Sequence, residues 1–543
     1  MSQYTFSRAP QVNIPRSVFR RNHSLKTTMD VDYLYPIYVD EVLPGDTFEF
    51  SQHLFGRLST PLTPLMDNLY LDTFYFAIPV RLVDKDFKKL MGERPFGDVR
   101  NDYTTPMLNT GSEGVDFMSL YDYLNIPPKV KNLDFLAWYP RAYNLVYNEW
   151  FRDENLCPAA NVAGVAEDGT VGEEKLEDYV LRKRGKRLDY FTGCLPWPQK
   201  GEAVRIALGE SAPVVGNGMN IGLTDGNVLT GLGVSGSDYL ITGLPNDKMP
   251  KVGKGYDNNQ LATTYQLVGL TTDATKSGLK ADLTAATAST INQLREAFAV
   301  QHLLEAWARG GTRYIELLRS CFNVVSPDAR QQRPEYLGGT SVPLISTTVA
   351  QTSESTTSSP LGNLASFVTM TSNAAWEKSF TEHTIILGLA NIRADLSYQQ
   401  GLPRMYSRRT KYDFYWPQLA NLGEQAVLNK EIYAQGADTK DDDGNPVDDN
   451  VFGYQERWAE YRYHYNMITG KMRSTDPQSL DVWHLAQEFE SLPKLNQSFI
   501  EEAVPIDRVV AVTDEPSVIL WGQFNLKCAR PMPLYSVPGL SRM

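Results

Sequence analysis

At 543 residues the chain is longer than a single hydrophobic core usually grows, which favours either two or three domains or one large sandwich with long insertions. Hydrophobic residues make up 42% of the chain and charged residues 21%, the ordinary chemistry of a globular protein with a sizeable core. The formal charge of −12 excludes a protein whose whole surface coats nucleic acid, so any nucleic-acid contact must be local.

The composition is rich in aromatic residues, with 29 Tyr, 22 Phe and 9 Trp against 6 His and 4 Cys. Tyr and Trp suit surfaces that are buried on association, although a tyrosine-rich β core would use them as well. The scattered cysteines form no C-x-x-C pair, which indicates buried free thiols and no zinc or redox site: Cys157, Cys194, Cys321 and Cys528. Without a membrane-length apolar run or a signal-peptide pattern, we expect a chain that is made and stays in a cytoplasm.

The chain opens with a basic segment. Residues 1–29 contain no Asp or Glu and five cations, namely Arg8, Arg16, Arg20, Arg21 and Lys26. A basic, proline-punctuated segment of this kind is typically extended and docks on another molecule. We therefore predict an extended basic N-terminal arm over 1–33, which binds an anionic polymer or a neighbouring subunit.

Strand-like segments follow over 34–202 and return towards the C-terminus. They lie at 35–43, 47–56, 68–80, 383–391, 505–512 and 517–528. In 68–80 both alternating sets of side chains are mostly apolar or aromatic, which predicts a central strand covered on both faces. Strands near both ends of the chain predict one antiparallel sandwich with long inter-strand insertions, because a parallel α/β fold would alternate strand and helix.

Between 203 and 290 the sequence is rich in Gly, Thr, Asn and Asp and contains no Trp, Phe, His or Cys. Such a segment cannot build a strong core, so we predict a polar insertion that projects outward, with disorder as the alternative. A helical segment over 291–325 follows, with a helix at 291–309, capped by Thr290 and Gln293, and a second helix at 312–322. The remaining strands and long loops are expected over 326–543.

Motifs that carry chemistry are weak. A G-x-G-x-x-G spacing at 231–236 lacks the preceding strand and following helix of a dinucleotide site. The run 441–444 resembles half of an EF-hand loop, but the alignment puts Thr439 and Asn450 at two ligand positions that they do not fit, which predicts a solvated turn. No catalytic constellation, metal site or cofactor is indicated, so we expect a protein that is not an enzyme.

Two later segments interleave cations with aromatic residues, at 404–416 (RMYSRRTKYDFYW) and 457–465 (RWAEYRYHY). Such segments can stack single-stranded bases while their cations hold phosphates, which makes candidates of Arg404, Arg408, Arg409 and Lys411. The same residue types are enriched at protein interfaces, and the alternative is a set of subunit contacts anchored by Trp416, Trp458, Tyr461, Tyr463 and Tyr465. Loss of such an anchor would lower assembly more than folding.

Six long stretches are also recognisable: LYPIYVDEVLPGDTF (34–48), PLMDNLYLDTFYFAIPVRLV (64–83), LPWPQKG (195–201), SPDARQQRPEYLGG (326–339), QGLPRMYSRRTKYDFYWPQLANLGEQAVLNKEIY (400–433) and FGYQERWAEYRYHYNMITGKMRS (452–474). In this order they closely resemble the major capsid protein of the gokushoviruses and their relatives among the microviruses, small phages with single-stranded DNA genomes. Runs of this length are far more specific than the short motifs above.

The resemblance implies an eight-stranded jelly roll, about 60 copies of which form a T=1 icosahedral shell around a single-stranded DNA genome. It implies that 203–290 is a variable protrusion that meets a host receptor, and that the virion holds a small basic internal DNA-binding protein and a pilot protein. A small basic internal protein fits a subunit of charge −12, because packed DNA phosphates need cations that this chain does not supply in bulk. The cations of the arm and of 404–411 then become candidates for facing DNA, and assembly is expected in the host bacterial cytoplasm.

Two other functions remain open from the residues alone. A carbohydrate-binding β-sandwich module would use exposed Trp and Tyr as sugar platforms and stay a monomer or small oligomer. A polysaccharide-cleaving enzyme would need a pair of carboxylates in a cleft. A particle of megadalton mass distinguishes a shell subunit from both.

Overall fold

The computed structural model describes residues 15–93, 96, 103–165, 170–204, 291–353, 355–357 and 360–535, and the backbone of 214–216, 223–224, 269–270 and 279–281. The chain forms two compact units, Met1–Lys200 with Glu305–Met543, and Gly201–Leu304. In the second unit two short antiparallel pairs are described, Val214–Gly216 with Leu279–Ala281 and Leu223–Thr224 with Gly269–Leu270. The glycine motif at 231–236 and the capping residue Thr290 lie outside the described residues.

Ten strands form two antiparallel sheets in the first unit. They are β1 (Ser17–Arg20), β2 (His23–Met29), β3 (Tyr35–Val42), β4 (Thr47–Leu58), β5 (Leu69–Pro79), β6 (Glu335–Pro343), β7 (Ile345–Ala350), β8 (Leu364–Ser379), β9 (Thr384–Ala394) and β10 (Val518–Arg530). Sheet one has the order β2–β10–β4–β8, with β1 also beside β10 and β7 beside β8, and sheet two has the order β6–β5–β9–β3. Sheet one therefore has six strands and sheet two has four, and two antiparallel sheets connected in this way are a jelly roll, which confirms the predicted fold.

Side chains on sheet one alternate between the core and the outside. Along β4 the inward set is buried and the outward set is mostly exposed, as the period of two requires, with Phe48, Phe50, Leu54 and Leu58 inside and Glu49, His53, Phe55 and Arg57 outside. Strand β10 repeats this pattern beside it. Both sets of side chains on β5 are buried or half-buried between β6 and β9, which confirms the predicted central strand at 68–80.

Aromatic rings fill the space between the two sheets. The ring centroid of Phe50 lies 4.8 Å from that of Tyr38, 4.9 Å from that of Tyr75 and 5.0 Å from that of Trp376. Phe524 closes the cluster at 5.3 Å from Tyr38. These distances lie in the favourable range for aromatic pairs, and the rings come from both sheets. A tyrosine-containing β core therefore accounts for part of the aromatic composition.

The outer face of sheet two is covered by the segment that follows β5. Helix α1 (Trp138–Val146) buries Trp138 and Tyr143 in one cluster with Ile385 and Leu387 of β9. The hydroxyl of Tyr143 donates a hydrogen bond to the carbonyl of Leu34 at 2.8 Å. Every residue of β9 is buried as a result, whereas the outward side chains of sheet one remain largely exposed.

Two longer helices, α2 (Ile291–Gly310) and α3 (Tyr314–Phe322), confirm the helices predicted at 291–309 and 312–322. At the start of α3 the carboxylate of Glu316 accepts the N–H groups of Thr312 and Arg313, each at 3.0 Å, and Asn323 ends the helix with a φ of 52°. No described helix is long and apolar enough to cross a membrane. Shorter helices are Val80–Val83, Phe87–Leu90, Leu120–Tyr123, Asp328–Gln331, Asn429–Ile432 and Gln497–Ile500.

The loops carry short strand pairs and a third buried cluster. The pairs are Met107–Asn109 with Asp134–Leu136, Ser397–Tyr398 with Asn466–Met467, and Glu424–Leu428 with Val451–Glu456. The third cluster includes Tyr190, Phe191, Tyr398, Phe452 and Phe499. It gives the long C-terminal insertions a core of their own.

Two expectations from the sequence are wrong. The segment 505–512 contains a helical turn at Ile506–Arg508 and no strand, because the N–H groups of Val509 and Val510 donate to the Ile506 carbonyl at 2.9 and 3.1 Å. Its buried residues are spaced three and four apart, and so short an apolar run does not distinguish helix from strand. All four thiols are free, but Cys321 is exposed while the other three are buried.

A group of charged side chains is buried where the loops pack on the jelly roll. Glu502 is 1% exposed, and its carboxylate oxygens have no hydrogen-bond partner among the described residues. Burial raises the pKa of Glu502 to about 8 and the pKa of Asp32 to about 6, and it lowers the pKa of Lys186 to about 8. At neutral pH Glu502 therefore carries a proton in the folded chain that it loses on unfolding.

Raising the pH from about 5 to 7.5 is expected to lower the free energy of unfolding. Over this range folded Glu502 keeps a proton that the unfolded chain loses, which costs up to about 1.4 kcal/mol per pH unit. Asp32 adds a loss of the same sign up to its pKa of about 6, and Lys186 is mostly protonated in both states. Glu502→Gln replaces a neutral acid by a neutral amide of similar shape and should flatten the profile of thermal midpoint against pH above about pH 6. The exposed Glu490→Gln is the control, and equal pH slopes for Glu502→Gln and the unmodified chain would contradict the assignment.

Candidate nucleic-acid and subunit-contact surfaces

The structure brings three cations of the predicted arm to sheet one. Strands β1 and β2 pair with β10 of the same chain, so the described part of 1–33 lies at a sheet edge and is not a free arm. Arg20 and Lys26 are exposed at outward positions of these strands. Arg16 donates from Nη2 to the Thr47 hydroxyl at 2.7 Å and to the Ala529 carbonyl at 3.0 Å. Arg8 lies outside the described residues.

Arg21 has a different environment from the other arm cations. Its guanidinium donates to both carboxylate oxygens of Asp40 on β3, at 2.8 and 2.9 Å. A bidentate pair of this kind is among the strongest side-chain contacts, and it neutralises the charge of the arginine. Arg21 therefore connects the edges of the two sheets.

Arg20 and Lys26 belong to a larger basic face, which we define as the outward side chains of β1, β2, β4, β8 and β10. The register places Arg20 opposite Lys527 and Lys527 opposite Glu49, whose carboxylate lies 2.8 Å from the lysine Nζ. Farther along, Thr28 lies opposite Ile519, and Ile519 lies opposite Arg57. Among the described residues, neither Lys26 nor Arg57 has a carboxylate within ion-pair distance.

Arg404 and Arg408, in contrast, are engaged within their own subunit. Arg404 donates from Nη1 to the carboxylate of Glu431 at 2.8 Å. Arg408 lies 3.5 Å from a carboxylate oxygen of Glu460, and its guanidinium lies 4.4 Å from the ring centroid of Tyr461. Glu431 is 2% exposed, and burial raises its pKa, an effect that Arg404 opposes. These two arginines therefore stabilise the folded subunit.

Arg409 and Lys411 are exposed on the same loop. The carboxylate of Asp413 accepts the N–H of Thr410 at 2.6 Å and the N–H of Arg409 at 2.9 Å, and these bonds lower the pKa of Asp413. The Nζ of Lys411 lies 5.0 Å from the ring centroid of Tyr412. The loop thus has a defined turn that presents both cations to solvent.

Exposed aromatic side chains surround these cations. The aromatic patch consists of five side chains between 48% and 60% exposed: Tyr412, Phe414, Tyr415, Trp416 and Tyr461. The guanidinium of Arg408 lies between Phe414 and Tyr461, and Nε1 of Trp416 donates to the Lys411 carbonyl at 2.8 Å. Tyr463, nearby in the chain, is 50% exposed. Large, ordered, amphipathic side chains of this kind are typical of a protein interface.

Trp458 is buried and Tyr465 is half-buried. Trp458 is 3% exposed, and its Nε1 donates to the Leu419 carbonyl at 3.1 Å. Its ring packs edge-on against Tyr415 at 5.9 Å. Tyr465 packs at 4.8 Å from Phe191 in the third buried cluster. A tryptophan buried in its own subunit does not reach a neighbour, so Trp458 supports the aromatic patch from below instead of anchoring an interface.

Several residues of the basic face were not among the sequence candidates: Phe55, Arg57, Trp521 and Lys527. All four lie at outward positions of the alternating strands β4 and β10. The alternation of apolar and polar side chains along these strands could therefore have predicted that these four residues face outward. Their position beside Lys26 and Arg20 depends on the pairing of β10 with strands from the other end of the chain.

The acidic loop at 441–444 is a turn held by its own polar groups. The carboxylate of Asp441 accepts the N–H of Asn445 at 2.8 Å, the N–H of Asp443 at 3.1 Å and the side-chain amide of Asn450 at 3.1 Å. These bonds lower the pKa of Asp441. In the part of the chain that the structure describes, no group of three or more His, Cys, Asp or Glu side chains is arranged to hold a metal ion.

Comparison with known proteins gives one consistent result. The family described as "Capsid protein (F protein)" matches residues 7–540. The chain is 44% identical over 544 residues to capsid protein VP1 of Bdellovibrio phage phiMH2K, and 41% identical over 585 residues to capsid protein VP1 of Chlamydia phage 1. It is 37% identical over 558 residues to capsid protein VP1 of Spiroplasma virus 4. Each match covers 99% of this chain and 98% of the relative.

Trp458→Ala is expected to destabilise the subunit itself, by about 3–5 kcal/mol, because it leaves a cavity and removes the partner of the Leu419 carbonyl. The exposed Trp416→Ala should cost about 1 kcal/mol or less. The measurement is denaturant unfolding of the unassembled subunit. A Trp458→Ala chain as stable as the Trp416→Ala chain would contradict a structural role for Trp458.

Proposed function

The chain belongs to the phage capsid protein (F protein) family, and from this membership we propose that about 60 copies form a T=1 icosahedral shell around a single-stranded DNA genome. It is a structural protein of the virion and not an enzyme. Its relatives come from phages of the Microviridae type, and the capsid role is carried by the whole chain, because the matches extend over nearly its full length.

The observation that carries the assembly mechanism is the aromatic patch. A soluble subunit exposes five large aromatic side chains on one loop region, although apolar rings of this size are normally buried. Burial against another copy gains their hydrophobic free energy at little cost in side-chain entropy, because Arg408 and the Trp416 hydrogen bond already order two of the rings. The occupant of the patch is therefore a second copy of the chain.

The remaining partners follow from charge and from the family. A subunit of charge −12 does not supply the cations that a packed genome needs, which supports a small basic internal DNA-binding protein. A pilot protein completes the virion interior, and assembly takes place in the host bacterial cytoplasm. The insertion at 203–290 meets the host receptor, and its polar, glycine-rich sequence supports a place at the particle surface.

The carbohydrate-binding module is not favoured. It would require a monomer or small oligomer, whereas the relatives of this chain are capsid proteins over their whole length. Sizing of the purified protein tests the two functions directly. A particle of about 3.7 MDa, for about 60 copies of a 61.0 kDa chain, supports the shell, and a chain that stays monomeric in every assembly condition refutes it.

Removing two rings of the aromatic patch, as Tyr412→Ala with Trp416→Ala, is expected to raise the subunit concentration needed for assembly by at least about 30-fold. The subunit should stay folded, because both rings are largely exposed. Light scattering against concentration measures assembly. Phe117→Ala removes an exposed ring outside the patch, which at 65% is at least as exposed as either of the two, and is the control. Normal particles from the double variant would show that the patch is not a subunit contact.

A further inference from the structure

The basic face of the jelly roll holds two exposed aromatic rings side by side. Trp521 on β10 is 40% exposed, and Phe55 on β4 is 47% exposed. They are directly paired in the register, and both point away from the core. Side chains at paired positions of neighbouring strands lie about 5 Å apart, so the two rings form one continuous platform. Neither ring contributes to the core between the sheets.

Cations flank this platform on both sides. Lys26 is the partner of Trp521 on the neighbouring strand β2. Arg57 follows Phe55 by two residues on the same face of β4. Among the described residues both cations lack a carboxylate within ion-pair distance, unlike Arg21, Arg404 and Arg408. Their charges are therefore available to an external anion.

The part of the basic face around the platform contains no acidic residue. The rows of paired outward positions include Thr28, Ile519, Arg57 and Thr369 in one row, Lys26, Trp521, Phe55 and Thr371 in the next, and Ser24, Gln523, His53 and Asn373 in the third. The chain as a whole has 64 acidic residues against 52 Lys and Arg. A region free of carboxylates and bearing two unpaired cations is thus complementary to a polyanion.

We propose that this face binds single-stranded DNA without sequence preference, with Trp521 and Phe55 stacking on bases and Lys26 and Arg57 holding the adjacent phosphates. Every base has a face on which an aromatic ring can stack, so such a site tolerates any genome sequence. The inference rests on the proposed function, in which the shell encloses a single-stranded DNA genome. A protein partner on the same apolar rings is the competing occupant.

Binding of fluorescent oligo(dT) to the unassembled full-length subunit tests the site. Trp521→Ala with Phe55→Ala is expected to weaken binding by about 10-fold per ring at constant salt. Trp521→Phe with Phe55→Tyr keeps both rings and should bind within about threefold of the unmodified chain. Double-stranded DNA of the same length should bind more weakly, since its bases are not free to stack.

The cations are tested by the salt dependence of the same binding. Lys26→Gln with Arg57→Gln removes two phosphate contacts, which should reduce the slope of log K against log salt by about 1.4. The alanine variants of the rings should leave that slope unchanged. This difference separates stacking from charge, and general unfolding of a variant would not produce it. Circular dichroism confirms that each variant is folded.

Ultraviolet cross-linking in filled particles locates the DNA. Cross-links from thymines to the β10 peptide that contains Trp521 support the proposal. Oligo(dT) affinity of the double alanine variant within about twofold of the unmodified chain would overturn it, and so would cross-links from this peptide to protein alone. Particle sizing is independent of these readouts, so particles that form without DNA on this face would refute the site and leave the shell function standing.

Discussion

The packing of aromatic rings between the two sheets is the interaction on which the rest of the subunit depends. Phe50 contacts rings from β3, β5 and β8, and the Tyr75 hydroxyl bonds to Gln52 in the same layer. A slip of one residue in β4 would turn every one of its inward side chains to the outside. The core therefore determines which residues of β4 and β10 face outward, and with them the position of Phe55 and Trp521.

In the part of the chain that the structure describes, the two sheets of the jelly roll then differ because only sheet two is covered on its outer face. Sheet two lies between the inter-sheet core and α1 with its flanking loops, so all of β9 is buried and both faces of β5 are buried or half-buried. Sheet one keeps its outward positions largely exposed, and its sequence alternates accordingly. In a shell one face of the sandwich must be available to whatever the particle contains or contacts. The difference in hydrophobic pattern between the strands shows that the outer face of sheet one is the more exposed of the two.

The strands and the central position of 68–80 could be predicted from the sequence because a period of two is a local property. The helical turn at Ile506–Arg508 could not be predicted, because a short run of apolar residues fits either a helix or a strand. The platform of Trp521 and Phe55 was missed for a different reason. It forms from segments near opposite ends of the chain, and only their register brings the rings together. Whether Trp458 is buried likewise depends on loops that pack over it from elsewhere in the sequence.

A cation beside an aromatic ring can either stabilise the subunit or bind an external anion, and the local sequence looks the same in both cases. Arg408 and Lys26 each lie beside an exposed ring, and both are candidates for facing DNA on the sequence. The guanidinium of Arg408 lies 3.5 Å from a carboxylate oxygen of Glu460, so its charge is paired within the folded subunit. Lys26 has no carboxylate partner among the described residues. Whether a carboxylate pairs with the cation determines whether its charge is available, and a local stretch of sequence does not show this, because Glu460 lies far from Arg408 in the chain. In an acidic chain, a cation that folding leaves unpaired is therefore stronger evidence for an anionic partner than any local run of basic residues.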